Sequence, residues 1–192
     1  ALALFTSWID VGAKERPHDV GKTGEPLFPL GLAAGMDNDG VWLLRAVGPP
    51  ARWLRFVQED GLPSRRVRHI LVDSRGRLWV ATDRGVACIG ADLGVRTFAT
   101  DSLLARSAHA LLESDGCLFV GLDDGLARVD LEAYETGAVR VPGIAGLVVT
   151  LARTGDDLWG SDGVRLRSLG GRERVPPVTP ADPLSLSVLA HA

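Results

Sequence analysis

The sequence predicts an all-β fold built from repeated four-stranded antiparallel units. Two observations carry this prediction: the sequence repeats itself with a period of about 40 residues, and glycine and proline interrupt it every few positions. With 23 Gly and 11 Pro among 192 residues, no stretch has the length and 3.6-residue periodicity that a helical repeat needs.

The repeat is clearest in two hairpins. The sequence Asp73-Ser-Arg-Gly76-Arg-Leu78-Trp79-Val80 returns one period later as Glu113-Ser-Asp-Gly116-Cys-Leu118-Phe119-Val120. A third copy begins at Asp157-Leu158-Trp159, and a weaker, earlier one reads Asp37-Asn-Asp39-Gly40-Val41-Trp42. On this alignment four aromatic residues share one repeat position and are predicted to pack between units: Trp42, Trp79, Phe119 and Trp159.

Each unit divides into four short strands. We expect strands near residues 67–72, 78–82, 86–90 and 95–99, and equivalents one period later, separated by Asp-x-x-Gly and Thr-x-x-Gly turns. The second strand is apolar throughout, which indicates a sheet covered on both faces. Four strands in about 40 residues is typical of a β-propeller blade, so the fold is a partial β-propeller of about four to five blades.

The blade boundaries follow from the period. We assign an irregular N-terminal segment or the end of a preceding blade to residues 1–29 and the start of a truncated next strand to residues 186–192. Four blades lie between them, the last one shortened: 30–65, 66–105, 106–145 and 146–185. Four to five blades leave three explanations open: a fragment of a longer propeller, self-association and a small propeller.

One stretch resembles a known family. The run from Phe56 through Gly61-Leu62-Pro63-Ser64 to Leu78-Trp79-Val80 and Thr82-Asp-Arg-Gly85 is similar to the two-component regulator propeller repeat. Ala81 stands where that family usually has Gly. The resemblance implies a sensor propeller of bacterial hybrid two-component or diguanylate cyclase regulators, located in the periplasm.

Composition narrows the classes of partner. The net charge is −3, with 23% charged residues, which gives no support for nucleic-acid binding. The longest apolar run, residues 143–152, is too short to span a bilayer.

The N-terminal residues lack a basic leader and a cleavage site, so we expect a cut end rather than a signal peptide. Cys88 and Cys117 fall at different repeat positions and are expected to be free.

No motif of an enzyme or a metal site stands out. Nucleophile elbows, zinc-binding helices and Cys-x-x-Cys pairs are missing from the sequence. The stretch Asp37-Asn-Asp39-Gly40 lacks the acidic residues that a calcium loop needs at positions 35 and 45. We therefore predict no catalytic residue, no metal and no cofactor.

A cationic group is the candidate ligand site. His69 and His109 lie one period apart on what we interpret as successive inner strands, and arginines flank them. Such a rim favours a small anionic ligand. The competing interpretation is that these are repeat-derived surface and packing residues. The predicted ligand-binding residues are Arg66, Arg68, His69, Arg106 and His109.

The leading functional hypothesis is a noncatalytic, ligand-sensing propeller segment of a bacterial signal-transduction receptor. Two alternatives stay open: a propeller enzyme resembling the streptogramin lyases or lactonases, with His69 or His109 as base beside a metal, and a protein-interaction scaffold. Expected partners are a small anionic ligand and either further copies of the chain or the remaining blades of a longer one. Neither nucleic acid nor a membrane segment is expected.

Overall fold

The computed structural model describes residues 32–45, 52–98, 102–155 and 157–169. In these residues 14 strands form four antiparallel sheets, and the only helices are three single turns of 3-10 helix. The all-β prediction is confirmed, and the sheets are those of a partial β-propeller. Contacts divide the chain into two compact units, residues 1–107 and 108–192, and each is described by itself.

The first unit holds two sheets, in the orders β1-β2-β3 and β4-β5-β6-β7. Short 3-10 helices, η1 (Gln58–Asp60) and η2 (Leu103–Ala105), lie in the loops before β4 and after β7. The strands are β1 (Leu32–Met36), β2 (Gly40–Arg45), β3 (Arg52–Phe56), β4 (Val67–Val72), β5 (Leu78–Thr82), β6 (Gly85–Ile89) and β7 (Val95–Thr97).

The second unit holds a four-stranded and a three-stranded sheet, in the orders β11-β10-β9-β8 and β12-β13-β14. A third 3-10 turn, η3 (Tyr134–Thr136), precedes β11. The strands are β8 (Ala108–Ser114), β9 (Cys117–Leu122), β10 (Gly125–Asp130), β11 (Ala138–Ala145), β12 (Thr150–Thr154), β13 (Asp157–Ser161) and β14 (Leu166–Ser168).

The strand predictions agree closely with β4 to β10. The fourth strand of the second unit's first sheet is the exception, since β11 begins at Ala138 after η3 rather than near residue 135. Cys88 and Cys117 are free, as expected. The segments 1–29 and 186–192 lie outside the described residues, and the remaining blade boundaries stay predictions.

The core of the first unit lies between its two sheets. Leu78 and Val80 of β5 and Ile89 of β6 are fully buried and belong to one cluster with Val41 and Leu43 of β2. All five residues of β5 are buried. The uninterrupted apolar run of β5 therefore reflects a strand covered on both faces, as predicted.

The first sheet aligns with the other sheets of the repeat differently from the way that the sequence suggested. A Cβ on Gly35 would lie 2.5 Å from the Val67 side chain, and a Cβ on Gly121 would lie 2.4 Å from the Val148 carbonyl oxygen. Both glycines thus lie where a strand passes beside the start of the next sheet, so Gly35 is equivalent to Gly121. It is also equivalent to Ala81, which lies 40 residues before Gly121 at the same repeat position. Strands β1 to β3 consequently correspond to β5 to β7.

It follows that the turn at residues 37–39 is the second turn of its blade, not the first, and that the alignment of Trp42 with Trp79 was wrong. Trp42 pairs with Ala34 and Arg55 across the sheet. Because strand side chains alternate, Trp42 lies on the face opposite Val41 and Leu43, away from β4–β7. The Trp position of this sheet is taken by Ala33, which is buried.

In the second unit, Phe119 packs where the repeat predicts, between the two sheets. It joins a cluster that includes Leu126 of β10 and Leu151 of β12. Arg153 of β12 ties the sheets together at one end, because its guanidinium donates to Ser114 Oγ at 2.8 Å and pairs with Asp115 at 3.1 Å. Trp159 pairs with Ala152 and Ser168, which places it on the other face of its sheet from Leu151 and Arg153.

Candidate functional site

The loop before β4, residues 57–66, is held by its own sequence. Gly61 ends η1 with φ 107°, a left-handed conformation that favours glycine. Leu62 anchors the loop in the core with 3% exposure. Ser64 Oγ accepts the Arg66 N–H at 3.1 Å. The Gly-Leu-Pro-Ser sequence thus fixes where Arg66 leaves the loop.

The loop before β8 is also held in place by contacts of its own residues, which differ from those of the loop before β4. Ser102 Oγ accepts the Leu104 N–H at 3.2 Å, and Leu104 is fully buried. The Leu104 carbonyl oxygen would lie 2.9 Å from a Cβ on Gly85, whose φ is 137°. The loop therefore sits directly on the β5–β6 turn and needs glycine there. Arg106 follows η2 and is exposed.

Three of the predicted arginines lie at the same end of the first unit. Arg66 Nε is 3.2 Å from Asp37 Oδ1, in the β1–β2 turn. Arg68 donates to Ser107 Oγ at 2.9 Å, directly after Arg106. The structure thus brings the three arginines onto neighbouring loops and strand starts, and it places Asp37 among them, which offsets part of the Arg66 charge.

The two histidines are not equivalent, contrary to the prediction. A β-bulge after Val67 pairs His69 with Ala81, and a bulge after Ala108 pairs Ala110 with Gly121. Since Ala81 and Gly121 are equivalent, His69 corresponds to Ala110, and Arg68 corresponds to His109 as the bulged residue. Between the equivalent cross-strand pairs Val72–Leu78 and Glu113–Leu118, the first connection is one residue longer than the second. A shift by one whole period therefore misaligned the strands.

His69 is in a partly buried position. Burial lowers the pKa of its imidazole from the usual value of 6.5, because the charged form loses hydration. Its equivalent, Ala110, is a core residue of the second unit. His69 therefore behaves more like a packing residue than like a cation at neutral pH.

His109, in the second unit, makes a close polar contact of its own. Its Nε2 lies 2.5 Å from Asp123 Oδ1, and the His109 side chain is 16% exposed while that of Asp123 is 58% exposed. The neighbouring Asp124 pairs with Arg140 at 3.0 Å. The β9–β10 turn therefore presents acids that engage basic side chains of β8 and β11.

Neither a metal-binding cluster nor a membrane-spanning helix occurs in the described part of the chain. No group of three or more His, Cys, Asp or Glu side chains there is arranged to hold a metal ion. Across the same residues no helix has the length and apolar character to cross a bilayer.

Sequence reasoning missed three contacts of the predicted residues: in the first unit Asp37 with Arg66 and Ser107 with Arg68, and in the second unit Asp123 with His109. The sequence identifies Asp123 only as an acid in an exposed turn. The repeat gives no signal for the contact of His109 with Asp123, because the residue equivalent to His109 in the first unit is Arg68 and not His69.

Comparison with known proteins gives one family match and several matches of fold. Residues 61–84 match the model of the two component regulator propeller family. No curated protein sequence matches the chain.

Two similar structures are extracellular domains from B. thetaiotaomicron, assigned to hybrid two component systems. The BT4673 domain is 19% identical, with a TM-score of 0.59, over 77% of this chain and 22% of that one. The BT3049 domain is 17% identical, with a TM-score of 0.55, over 68% and 19%. This chain thus spans about a fifth of their length. Such low identity shows the fold alone.

A streptogramin B lyase is also similar, at 12% identity and a TM-score of 0.54, over 88% of this chain and 55% of that one. An enzyme and these extracellular domains therefore share this fold, and fold alone does not decide which function a chain has. The sequence match is more specific than the likeness of fold. It covers Gly61 to Arg84, from the loop before β4 to the β5–β6 turn. The repeat that spans residues 61–84 is thus similar to the two component regulator propeller repeat, as the sequence predicted.

Proposed function

We propose that this chain is a noncatalytic, ligand-sensing propeller segment of a bacterial signal-transduction receptor, located outside the cytoplasm. The observation that carries the proposal is the family match over residues 61–84. The likeness in fold to extracellular domains of hybrid two component systems supports it. Any output domain would belong to another part of a longer protein.

The ligand site that we propose is the basic end of the first unit. Arg66 and Arg106 are exposed and Arg68 is partly exposed, and guanidinium groups stay charged at every relevant pH. A small anion would compete with Asp37 for Arg66 and with Ser107 for Arg68. His109, the fifth residue that the sequence predicts, belongs to the second unit.

Calorimetric titration with inorganic phosphate and with citrate tests the site. Arg68→Gln and Arg106→Gln should each weaken binding at least about tenfold, as loss of a charge-assisted contact does. Arg128→Gln, an exposed arginine of β10, is the matched control and should bind normally. Affinity should fall as salt is raised. Equal affinity of all three variants would show that the arginines do not form the site.

The histidines make a separate test. Because burial lowers the pKa of His69 below 6.5, any charge that His69 adds to binding appears only below that pH. As the pH falls, binding should therefore begin to strengthen at a lower pH than it would if an exposed histidine supplied the charge. A His69→Ala/His109→Ala variant with unchanged affinity and pH dependence would remove both residues from the proposed site.

A second candidate function is a propeller enzyme, and the contact of His109 with Asp123 is the observation that favours it. A carboxylate 2.5 Å from an imidazole can orient the ring as a general base. A turnover assay on a lactone substrate tests this. Activity that is lost in both His109→Ala and Asp123→Asn would favour the enzyme over the sensor, and no turnover by the unaltered chain would exclude it for that substrate.

A further inference from the structure

One buried carboxylate oxygen of the first unit has no partner in the fold. Asp83 lies in the β5–β6 turn and is partly exposed, but its Oδ1 is buried, and the described residues offer this atom no hydrogen bond. Such an oxygen loses its hydration without gaining a contact, which costs stability. Folded proteins contain few atoms of this kind, and one explanation for such an atom is a role in binding.

The fold does not use the Asp83 carboxylate to shape its turn. Thr82 Oγ1 does this instead, because it donates to the Gly85 carbonyl oxygen at 2.7 Å and accepts the Arg84 N–H at 3.2 Å. Elsewhere in the first unit an aspartate closes its own turn, since Asp92 Oδ1 accepts the backbone N–H two residues on, at 3.0 Å. This local role is common for a turn aspartate. In the β5–β6 turn Thr82 has that role already.

The equivalent aspartate of the second unit indicates what this position binds. Asp123 has the same place in the β9–β10 turn, and its Oδ1 lies 2.5 Å from His109 Nε2. The first unit has Arg68 in place of His109, and Arg68 donates to Ser107 Oγ at 2.9 Å. The repeat thus places a nitrogen atom against the aspartate of this turn, whereas Asp83 Oδ1 has none among the described residues.

The β5–β6 turn belongs to the basic end of the first unit. Thr82, at its start, pairs with Val67, which stands between Arg66 and Arg68 in the chain. The loop before β8 lies on the same turn and leads into Arg106. The turn therefore adds a carboxylate to the group of three arginines.

The basic end is consequently mixed in charge. Its positive charge comes from Arg66, Arg68 and Arg106. Its negative charge comes from Asp37, which is 3.2 Å from Arg66 Nε, and from Asp83. A ligand with negative groups alone would be attracted by the arginines and repelled by Asp83. A ligand that also carries an ammonium group would meet opposite charges with both of its groups, and its N–H would donate a charge-assisted hydrogen bond to the carboxylate.

We propose that the ligand of the basic end is a zwitterion, an α-amino acid or a similar small molecule, whose ammonium group pairs with Asp83 and whose carboxylate pairs with Arg68 and Arg106. The proposal rests on the anion site proposed above and names the class of its ligand. Binding includes a rotation of the Asp83 side chain, which turns the buried oxygen toward the ligand. The ammonium group then provides specificity, since a site that hydrogen-bonds an N–H group discriminates against analogues that lack it.

Calorimetric titration of the full chain with two pairs of dicarboxylates tests the proposal. L-Aspartate differs from succinate, and L-glutamate from glutarate, only by an amino group. At pH 7 the amino acid of each pair carries about one net negative charge and its partner about two, so the arginines alone would favour the partner. We expect the reverse order, in which each amino acid binds at least about tenfold more tightly than its partner.

Asp83→Asn removes the carboxylate and keeps the shape of the side chain, so it should abolish the preference in both pairs. Asp92→Asn is the matched control, because Asp92 is an exposed turn aspartate at the opposite end of β6 and should leave the preference unchanged. Urea denaturation checks folding. Asp83→Asn should be as stable as the unaltered chain, because no hydrogen bond to Oδ1 is lost, and a clear loss of stability would overturn the proposal by showing a partner within the fold.

The remaining outcomes separate this proposal from the anion site on which it rests. If anions bind but neither amino acid binds more tightly than its partner, the zwitterion is wrong and the anion site stands. A preference that survives Asp83→Asn would exclude Asp83 as the residue that binds the ammonium group. If phosphate, citrate and the two pairs all fail to bind, the anion site and the zwitterion are both wrong.

Discussion

Trp79 donates its indole N–H to the carboxylate of Asp73 at 2.8 Å, and both side chains are fully buried. Asp73 also accepts the backbone N–H groups of Arg75 and Arg77, at 3.0 and 2.9 Å, and the Arg77 guanidinium at 2.7 Å. The turn residue and the core aromatic residue of the repeat are therefore one structural unit. The Asp-x-x-Gly turn shapes the hairpin and satisfies the polar atom of the tryptophan.

Asp73→Ala should reduce the free energy of unfolding by about 2–4 kcal/mol, because it removes the acceptor of several buried donors, one of them charged. Urea denaturation measures the loss. Glu132→Ala is the control, since Glu132 is exposed after β10, and exposed ion pairs contribute about 1 kcal/mol or less. Equal losses in the two variants would contradict the role of Asp73.

Trp79→Ala should cost about 3–5 kcal/mol, as the truncation of large buried aromatic residues does. Trp79 is fully buried and stacks on Phe98, with ring centroids 6.0 Å apart. Trp53→Ala, at a half-exposed position, should cost about 1–2 kcal/mol. A loss below about 1 kcal/mol for Trp79→Ala in urea would show that this ring is not part of the blade core.

Gly121→Ala should cost about 1–3 kcal/mol, because the added methyl group would meet the Val148 carbonyl oxygen at 2.4 Å and displace the backbone before β12. Ala81 occupies the equivalent position in β5 and already carries a methyl group. Ala81→Gly should therefore cost only about 0.5–1 kcal/mol, from chain entropy. Urea midpoints of the two variants compare them directly. The idea fails if Gly121→Ala is as stable as the unaltered chain.

His69 should make folding sensitive to pH. Burial lowers the pKa of His69 from 6.5 in the folded state, so the unfolded chain takes up a proton at a higher pH than the folded one does. Stability is therefore complete above pH 6.5 and falls as the pH drops toward the lowered value. His69→Gln should lack this component. The free energy of unfolding of the unaltered chain, minus that of the variant, should therefore be smaller at pH 5 than at pH 7.5. Parallel pH profiles would argue against a buried neutral imidazole.

The strands that the sequence located best are those whose turns carry an unambiguous signal. Leu78 to Thr82 is bounded by Asp73–Gly76 and Thr82–Gly85, and β5 falls where it was predicted. The first sheet was misaligned because an Asp-rich turn ending in Gly occurs at either hairpin of a blade. Only the close approach of Gly35 to Val67, a contact between sheets, identifies residues 37–39 as the second turn.

The candidate site was predicted less well for a related reason. Sequence alone placed Arg66, Arg68 and Arg106 at one end of the repeat, and the structure puts all three there. It also equated His69 with His109, because a separation of one whole period hides the extra position in the β4–β5 turn. Bulges form from backbone geometry and leave no residue pattern in this sequence, so the exchange of Arg68 for His109 became visible only in the strand pairing.

The two hairpin turns of one blade differ as places to attach a label. Gly116, in the β8–β9 turn, is exposed, and a Cβ there would meet nothing within 4 Å. Its φ of 73° favours glycine, so a label belongs beside this residue and not in its place. At Gly125, after the β9–β10 turn, a Cβ would lie 2.7 Å from the Arg140 guanidinium and 2.8 Å from the Ile144 carbonyl oxygen. A fluorophore or an inserted peptide therefore belongs in the first turn, on the end of its sheet opposite His109.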